Sequence, residues 1–314
     1  MTIWTTPERE QLRKTVRSFV EQDILPHLNQ WESDGEIPRE LHKKAAALGL
    51  LGAGFPEDVG GEGGDLADAI LICEEMHQAG ASGGLFASLF TNGIALPHLV
   101  AAGDPEHIEK WVRPPLAGEK IGSLAITEPG GGSDVGHLRT KAVKDGDHYV
   151  VNGAKTFITS GTRADFVTTA VRTGGTGHAG VSLLVVERGT PGFTVDRALT
   201  KMGWHCSDTA QLSYVDVRVP VENLVGQENA GFYQIAEQFV VERIALAVHG
   251  YGIAARALDL TAAYCQERDP FGKPLVANQV VRHALVEMRR QVEVARTYTR
   301  EVSRRHAAGE NVIA

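Results

Sequence analysis

Residues 145–161 read DGDHYVVNGAKTFITSG, and their punctuation decides the fold class. Asp145-Gly146 and Asn152-Gly153 are hairpin dipeptides, because Asn, Asp and Gly tolerate the positive φ that a tight turn between strands requires. Between them lies His148-Tyr149-Val150-Val151, an aromatic and β-branched run suited to a strand. The same signal continues outward. Ser182–Val186 is an apolar run, and Leu212–Val219 (LSYVDVRV) alternates with period two. From about Ile121 to Val225 such strands follow one another with no helical pattern between them, which predicts a small antiparallel barrel or sandwich.

Helical periodicity flanks this region on both sides. Thr6-Pro7-Glu8-Arg9-Glu10 combines a cap, a proline in the first turn and early acids. A second start follows Ile37-Pro38, and the glycine-rich loop Gly52–Asp65 precedes a helix through Ile70 to Met76. From Glu228 the pattern returns, running toward Glu267, breaking at Asp269-Pro270-Phe271-Gly272 and resuming from about Val276 to His306. The fold expected is α+β and multidomain. It has an N-terminal helical domain over residues 1–120, a middle antiparallel β-barrel or sandwich over 121–226, and a C-terminal helical bundle over 227–314. The final GENVIA ends the chain with neither a helix stop nor a polar tail.

Composition narrows the partners. A chain of 314 residues exceeds one ordinary core. The net charge of −8, with no basic stripe, argues against nucleic acid. Cys73, Cys206 and Cys265 lie far apart without metal-ligand spacing, which fits small core residues in a reducing, cytoplasmic setting and no metal site. The charged N-terminus is not a secretory signal. Residues 79–103 lack Asp, Glu, Lys and Arg, but Asn92, Pro97, His98 and several glycines make them a poor membrane span, and a buried helix is expected.

Four segments carry chemistry. At about 100° per residue, Phe232, Ile235, Ala236, Phe239, Leu246, Gly250, Ile253, Ala257 and Tyr264 share one helix face, with Arg243 inside it and Glu242 on its margin. A charge facing a core is costly unless paired or used, although two neighbours on a wide helix with one reaching solvent read the same way. In LAITEPGGGSD (124–134), glycines at 130–132 let successive backbone N–H groups converge on an anionic oxygen, and Ser133 adds a hydroxyl. A pyrophosphate suits that chemistry, and a plain structural turn suits the spacing equally. In NGAKTFITSG (152–161), Phe157 and Thr159 stand two apart on a strand and so face one side, able to cover and hydrogen-bond a planar ring, as an ordinary barrel strand also does. RDPFGKPLVANQ (268–279) is a turn bearing a cation and an aromatic, with solvation as its simplest use.

In this order, and together with LGLLGAGFPEDVGGEGG (48–64), Gly118-Glu119-Lys120 and KMGWHCSDTAQL (201–212), these segments resemble the acyl-CoA dehydrogenase family over essentially the whole chain. The resemblance implies FAD bound without a Rossmann fold. Leu124, Ile126, Thr127, Gly132 and Ser133 would meet the flavin and pyrophosphate, with Ser133 also approaching the thioester. Phe157, Ile158 and Thr159 would lie against the flavin, Phe157 standing where Trp is commoner. Arg268, Phe271 and Gln279 would reach the FAD of a neighbouring subunit, implying a homodimer or homotetramer. His137 replaces a usually small residue and implies a local shift of that turn.

Glu242 matches the helix-borne base of isovaleryl-CoA and long-chain dehydrogenases, immediately before Arg243, with Val240 and Arg243 beside the substrate. The implied reaction converts an acyl-CoA to the 2-enoyl-CoA. Glu242 takes the α-proton, the β-hydrogen leaves as hydride to flavin N5, and electrons pass to an electron-transferring flavoprotein. An acyl-CoA oxidase or flavin monooxygenase of the same fold, or a truncated non-catalytic paralogue, remain alternatives. The resemblance further implies that the C-terminal bundle is incomplete and the chain truncated, the segment expected after Ala314 being the one that would carry the family's other base position.

Overall fold

In the computed structural model, which describes residues 3–312, the helical and strand regions follow in the expected order. Helices α1 (Pro7–Phe19), α2 (Leu28–Asp34), α3 (Arg39–Ala47), α4 (Leu66–Ala79), α5 (Gly83–Leu89), α6 (Asn92–Ala95), α7 (Pro97–Ala102), α8 (Pro105–His107) and α9 (Arg113–Leu116) precede the sheet. Thr6 caps α1, its side chain accepting from the Arg9 amide at 3.3 Å, and Pro38 begins α3. Residues 79–103 are mostly buried as expected, but they form short helices rather than one, bent at Thr91 and again before Pro97. Pro97 cannot donate to a continuing ladder. Among the described residues no single helix is long and apolar enough to cross a membrane.

The strands are β1 (Gly122–Ala125), β2 (Lys141–Asp145), β3 (His148–Thr159), β4 (Phe166–Arg172), β5 (Val181–Glu187), β6 (Phe193–Ala198) and β7 (Thr209–Pro220). They form one seven-stranded sheet in the order β1-β4-β2-β3-β7-β6, with β5 also on β4. The purely antiparallel expectation is corrected here, because β1 and β2 both pair with β4 in parallel. A parallel pair needs a long crossover, and residues 126–165 supply it by carrying the β2–β3 hairpin between β1 and β4.

Asp145-Gly146 does turn that hairpin. Asp145 pairs with His148, and Gly146 sits at φ 62°. Asn152-Gly153 is not a turn. Strand β3 runs straight through it, and the register against β7 shifts between Val151 and Gly153. A Cβ on Gly153 would lie 2.5 Å from Thr140 Oγ1 and 2.7 Å from Thr140 Cα, so the glycine serves a bulge and a close backbone approach.

Helices α10 (Gly231–Glu267) and α11 (Gln279–Ala307) follow the sheet. The apolar face expected for α10 fails beyond Phe239. Its buried apolar side chains are Ile244, Val248, Tyr251, Ala255, Leu258 and Cys265, at three-, four- and seven-residue steps, whereas Leu246, Ile253, Leu260 and Tyr264 are exposed. Apolar residues populate two sides of this helix, so periodicity alone cannot choose between them. The same rotation leaves Arg243 exposed instead of inside the face, while Glu242 is half-buried.

The chain divides into two compact units. One comprises the chain up to Pro26, Gly64–Gly83 and everything from Arg243 onward. It is held by α1, α4 and α11 and by the buried Glu74 carboxylate, which accepts from Tyr251 Oη at 2.6 Å and Arg300 Nε at 2.9 Å. The other comprises His27–Gly63 and Gly84–Glu242. Its sheet has an apolar cluster around Trp111, Leu96, Leu99, Phe166 and Leu183, onto which Phe232 and Phe239 pack, and a second around Tyr149, Val151, Leu212 and Tyr214.

Candidate functional site

The two motifs expected to meet a flavin are brought together by the sheet. LAITEPGGGSD leaves β1, and β3 carries its partner segment. The Thr156 amide donates to the Thr127 carbonyl at 2.9 Å, and Ser123 Oγ donates to the Thr159 carbonyl at 2.6 Å. Lys155, entirely buried, donates to the Ile126 carbonyl and to Glu128 Oε1, each at 2.9 Å. Glu128 in turn accepts from the Arg139 amide at 2.6 Å and the Thr140 amide at 2.8 Å. Burial pulls the Lys155 ammonium down to about 8, against the opposing pull of Glu128. For Glu128 burial works toward protonation, but Lys155 and the donors at Thr140 and Arg139 outweigh it and hold the carboxyl below its ordinary range. Sequence reading passed over this pair. The available signal was a lysine and an acid set among apolar positions in adjacent strand segments.

The glycine turn differs in part from expectation. Glu128 and Gly131 exchange both backbone hydrogen bonds, at 3.0 and 3.1 Å, so the Gly131 amide is committed to its own turn. Gly130, Gly131, Gly132 and Ser133 are exposed. A Cβ added at Gly130 or Gly131 would meet no atom within 4 Å, and neither has a left-handed φ. The chain's own packing therefore does not require glycine at either place. His137 lies in a short 3₁₀ turn with Nδ1 2.8 Å from Asp134. A Cβ on Gly136 would stand 2.3 Å from the His178 imidazole, which stacks on Phe232 at 3.9 Å and 8°.

Phe157 departs from regular strand geometry. Its φ is 60°, its ring is 69% exposed, and the β3–β7 register shifts between Lys155 and Ile158. Strict alternation is thus broken, and the argument that Phe157 and Thr159 share a face by period two does not apply. Ile158 is buried, Thr159 and Leu124 are half-buried, Ile126 is buried and Thr127 half-buried. Left-handed backbone at a bulky residue costs of order 1–3 kcal/mol and collects at binding sites. The following turn is fixed by Asp208, from the KMGWHCSDTAQL segment, which accepts from Arg163 Nε at 2.9 Å and the Thr162 amide at 2.9 Å. Ser160 and Thr91 share a hydroxyl hydrogen bond at 2.9 Å.

Glu242 lies on α10 just after the stretch Phe232–Phe239 that packs on the Trp111 cluster. Its Oε1 has essentially no contact with solvent, and Val240 is half-buried. Arg268, Phe271 and Gln279 are exposed, Phe271 almost completely, at the turn joining α10 to α11.

Comparison with known proteins identifies the family. The acyl-CoA dehydrogenase N-terminal domain matches residues 6–119, the middle domain 123–217 and the C-terminal domain 229–314. The chain belongs to the acyl-CoA dehydrogenase family and is an oxidoreductase of that class. It is 37% identical over 294 residues to the mitochondrial long-chain specific acyl-CoA dehydrogenase of Sus scrofa, covering 93% of this chain and 68% of that protein. A structure described as a probable acyl-CoA dehydrogenase from Mycobacterium abscessus is 62% identical with a TM-score of 0.98, covering 98% of this chain and 82% of its own. The acyl-CoA dehydrogenase structure from Geobacillus kaustophilus is 38% identical with a TM-score of 0.94, covering 99% and 82%.

Proposed function

We propose that this protein carries out FAD-dependent α,β-dehydrogenation of an acyl-CoA thioester, with Glu242 as the base. The observation that carries this is the position of Glu242, half-buried on the stretch of α10 next to the sheet's apolar cluster, with one carboxylate oxygen withdrawn from water. A base removing a weakly acidic α-proton must keep its lone pair unsolvated and directed, and a positioned base contributes typically ~10²–10⁴ in rate. Val240, half-buried, and Arg243 flank the same position on the substrate side of this reading.

The residues present fit FAD. Gly130 and Gly131 are open where nothing in the chain demands glycine, which suits close approach of a phosphate to backbone. Gly132 and Ser133 extend that surface, and the outward Phe157 ring offers a face to a planar heterocycle beside Ile158 and Thr159. Leu124, Ile126 and Thr127 would form the adjoining wall. When bound, FAD supplies the acceptor for the β-hydrogen and its electron pair. Lys155 and Glu128 keep the two flavin-facing segments in register, and Ser133 orients the thioester.

The same reading treats residues 1–120, 121–226 and 227–314 as the three domains. It places the exposed Arg268, Phe271 and Gln279 against the FAD of a second copy in a homodimer or homotetramer. It takes an electron-transferring flavoprotein as the electron acceptor and the cytoplasm as the location. The test is Glu242→Gln assayed with a panel of acyl-CoA thioesters. The variant should retain FAD and lose anaerobic flavin bleaching by substrate, while the wild type identifies its preferred acyl chain. Full-rate bleaching in the variant would overturn the assignment.

A further inference from the structure

Spacing alone shows no metal motif in this chain, yet α4 and α10 assemble a buried donor set. Cys73 and His77 stand four residues apart on α4, so both side chains leave the same face about one turn apart. His249 joins them from the buried face of α10, between Val248 and Tyr251. The three residues are 4%, 1% and 8% exposed. Their ligand-capable atoms, one sulfur and two ring nitrogens, all lie within 4.8 Å of one another. His77 Nε2 is 2.9 Å from His249 Nδ1, with the rings edge-on at 4.5 Å between centroids. His77 Nδ1 lies 3.4 Å from the Ala81 carbonyl oxygen. A proton held on Nδ1 leaves the Nε2 lone pair directed at the cluster, and a carbonyl behind a ligating imidazole is the common supporting arrangement at metal sites.

We propose that Cys73, His77 and His249 form a binding site for one borderline-soft transition-metal ion of the Zn²⁺ type, tying α4 to α10. One thiolate and two imidazoles select such an ion over Mg²⁺ or Ca²⁺, which need oxygen donors. The neighbouring acid, Glu74, is committed to Tyr251 and Arg300 and does not supply one. Bond lengths of about 2.0–2.1 Å to nitrogen in a tetrahedron place two nitrogens about 3.3 Å apart. The two rings therefore open by about 0.4 Å from their present contact, and the sulfur, within 4.8 Å of both nitrogens, settles at about 3.6 Å from each. Three protein ligands leave a fourth position for water or a small anion. Without the ion, the two histidines remain a buried hydrogen-bonded pair.

The site is independent of the flavin reading and is tested without turnover. The purified full chain is freed of metal by dialysis against chelator and titrated with Co²⁺, then Zn²⁺. We expect one Co²⁺ per chain, tetrahedral d–d bands to the red of the flavin absorbance and a thiolate charge-transfer band, all displaced by Zn²⁺. Cys73→Ser should abolish the charge-transfer band, and His249→Gln should weaken binding roughly tenfold or more. Cys73→Ala and His249→Asn provide a second pair should the first fold poorly, and Cys206→Ser should behave as wild type. Absence of stoichiometric Co²⁺ or Zn²⁺ binding by the folded wild type overturns the proposal. So does binding unchanged in spectrum and affinity in the Cys73 and His249 variants.

Discussion

Replacing Glu128 by Gln should be one of the most damaging single changes in the sheet-bearing unit. The substitution keeps the shape of the side chain and removes the charge opposite an ammonium with no solvent exposure. At 2.9 Å and an effective dielectric of about 20, the attraction lost is roughly 6 kcal/mol, part of which already offsets the burial of Lys155. The Gln amide group would also face a backbone donor, either the Arg139 or the Thr140 N–H, where the carboxylate accepts both. Breaking one side of a buried pair costs about 3–5 kcal/mol. For a unit of this size that is about 2–4 °C of melting temperature per kcal/mol.

The assay is urea unfolding followed by tryptophan fluorescence, since Trp111 is buried in the same unit. Lys155→Met in the Glu128→Gln background should recover at least half of the loss, because an apolar pair replaces an uncompensated charge. A loss below about 1 kcal/mol for Glu128→Gln, or a double variant as unstable as the two single losses added together, would refute the reasoning. The pH dependence supplies an independent check. The folded pKa of Lys155, about 8, lies below the ordinary lysine value, so the unfolded chain holds the extra proton between about pH 8 and 10.5. This group therefore makes stability rise with pH across that window, by up to about 1.4 kcal/mol per unit. Lys155→Met should lack that rise.

His98 is fully buried, neither ring nitrogen has a hydrogen-bond partner among the described residues, and burial lowers its pKa to about 4. The unfolded chain takes up the proton first, so stability should fall as pH drops from about 6.5 to about 4, by up to about 3 kcal/mol. His98→Leu should flatten that slope and be neutral or stabilising at pH 7, as denaturant midpoints at pH 7 and 5 would reveal. Gly153→Ala forces a Cβ into the Thr140 backbone and should cost roughly 1–3 kcal/mol in the same unfolding assay. Gly130→Ala meets no atom, so the flavin-free chain should keep its stability within about 0.5 kcal/mol. The same variant should bind FAD more weakly by fluorescence titration, and unchanged affinity would remove the argument that a ligand requires that glycine.

Much of the architecture was legible because local chemistry and global fold agree. Thr6 and Pro38 start their helices where capping chemistry puts them, and Asp145-Gly146 turns the β2–β3 hairpin. The interruption between α10 and α11 falls where Pro270 and Gly272 predict it. The candidate flavin segments were legible as motifs, although their joining through Lys155 was not. Asn152-Gly153 misled because the same dipeptide serves a turn or a bulge, and the approach of Thr140 decides which. On α10 the error was one of rotation. Apolar residues line two sides of that helix, and burial of Val248, Tyr251 and Leu258 turns Arg243 outward.

The amino-acid order by itself determined where helices, strands and most turns lie, because these depend on contacts within a few residues of one another. Tertiary structure alone decided the parallel pairings of β4, the left-handed outward Phe157, the buried Lys155–Glu128 pair and the meeting of Cys73 and His77 with His249. Each of those joins groups distant along the chain or trades local preference for packing, and no local pattern encodes which distant neighbour will be there.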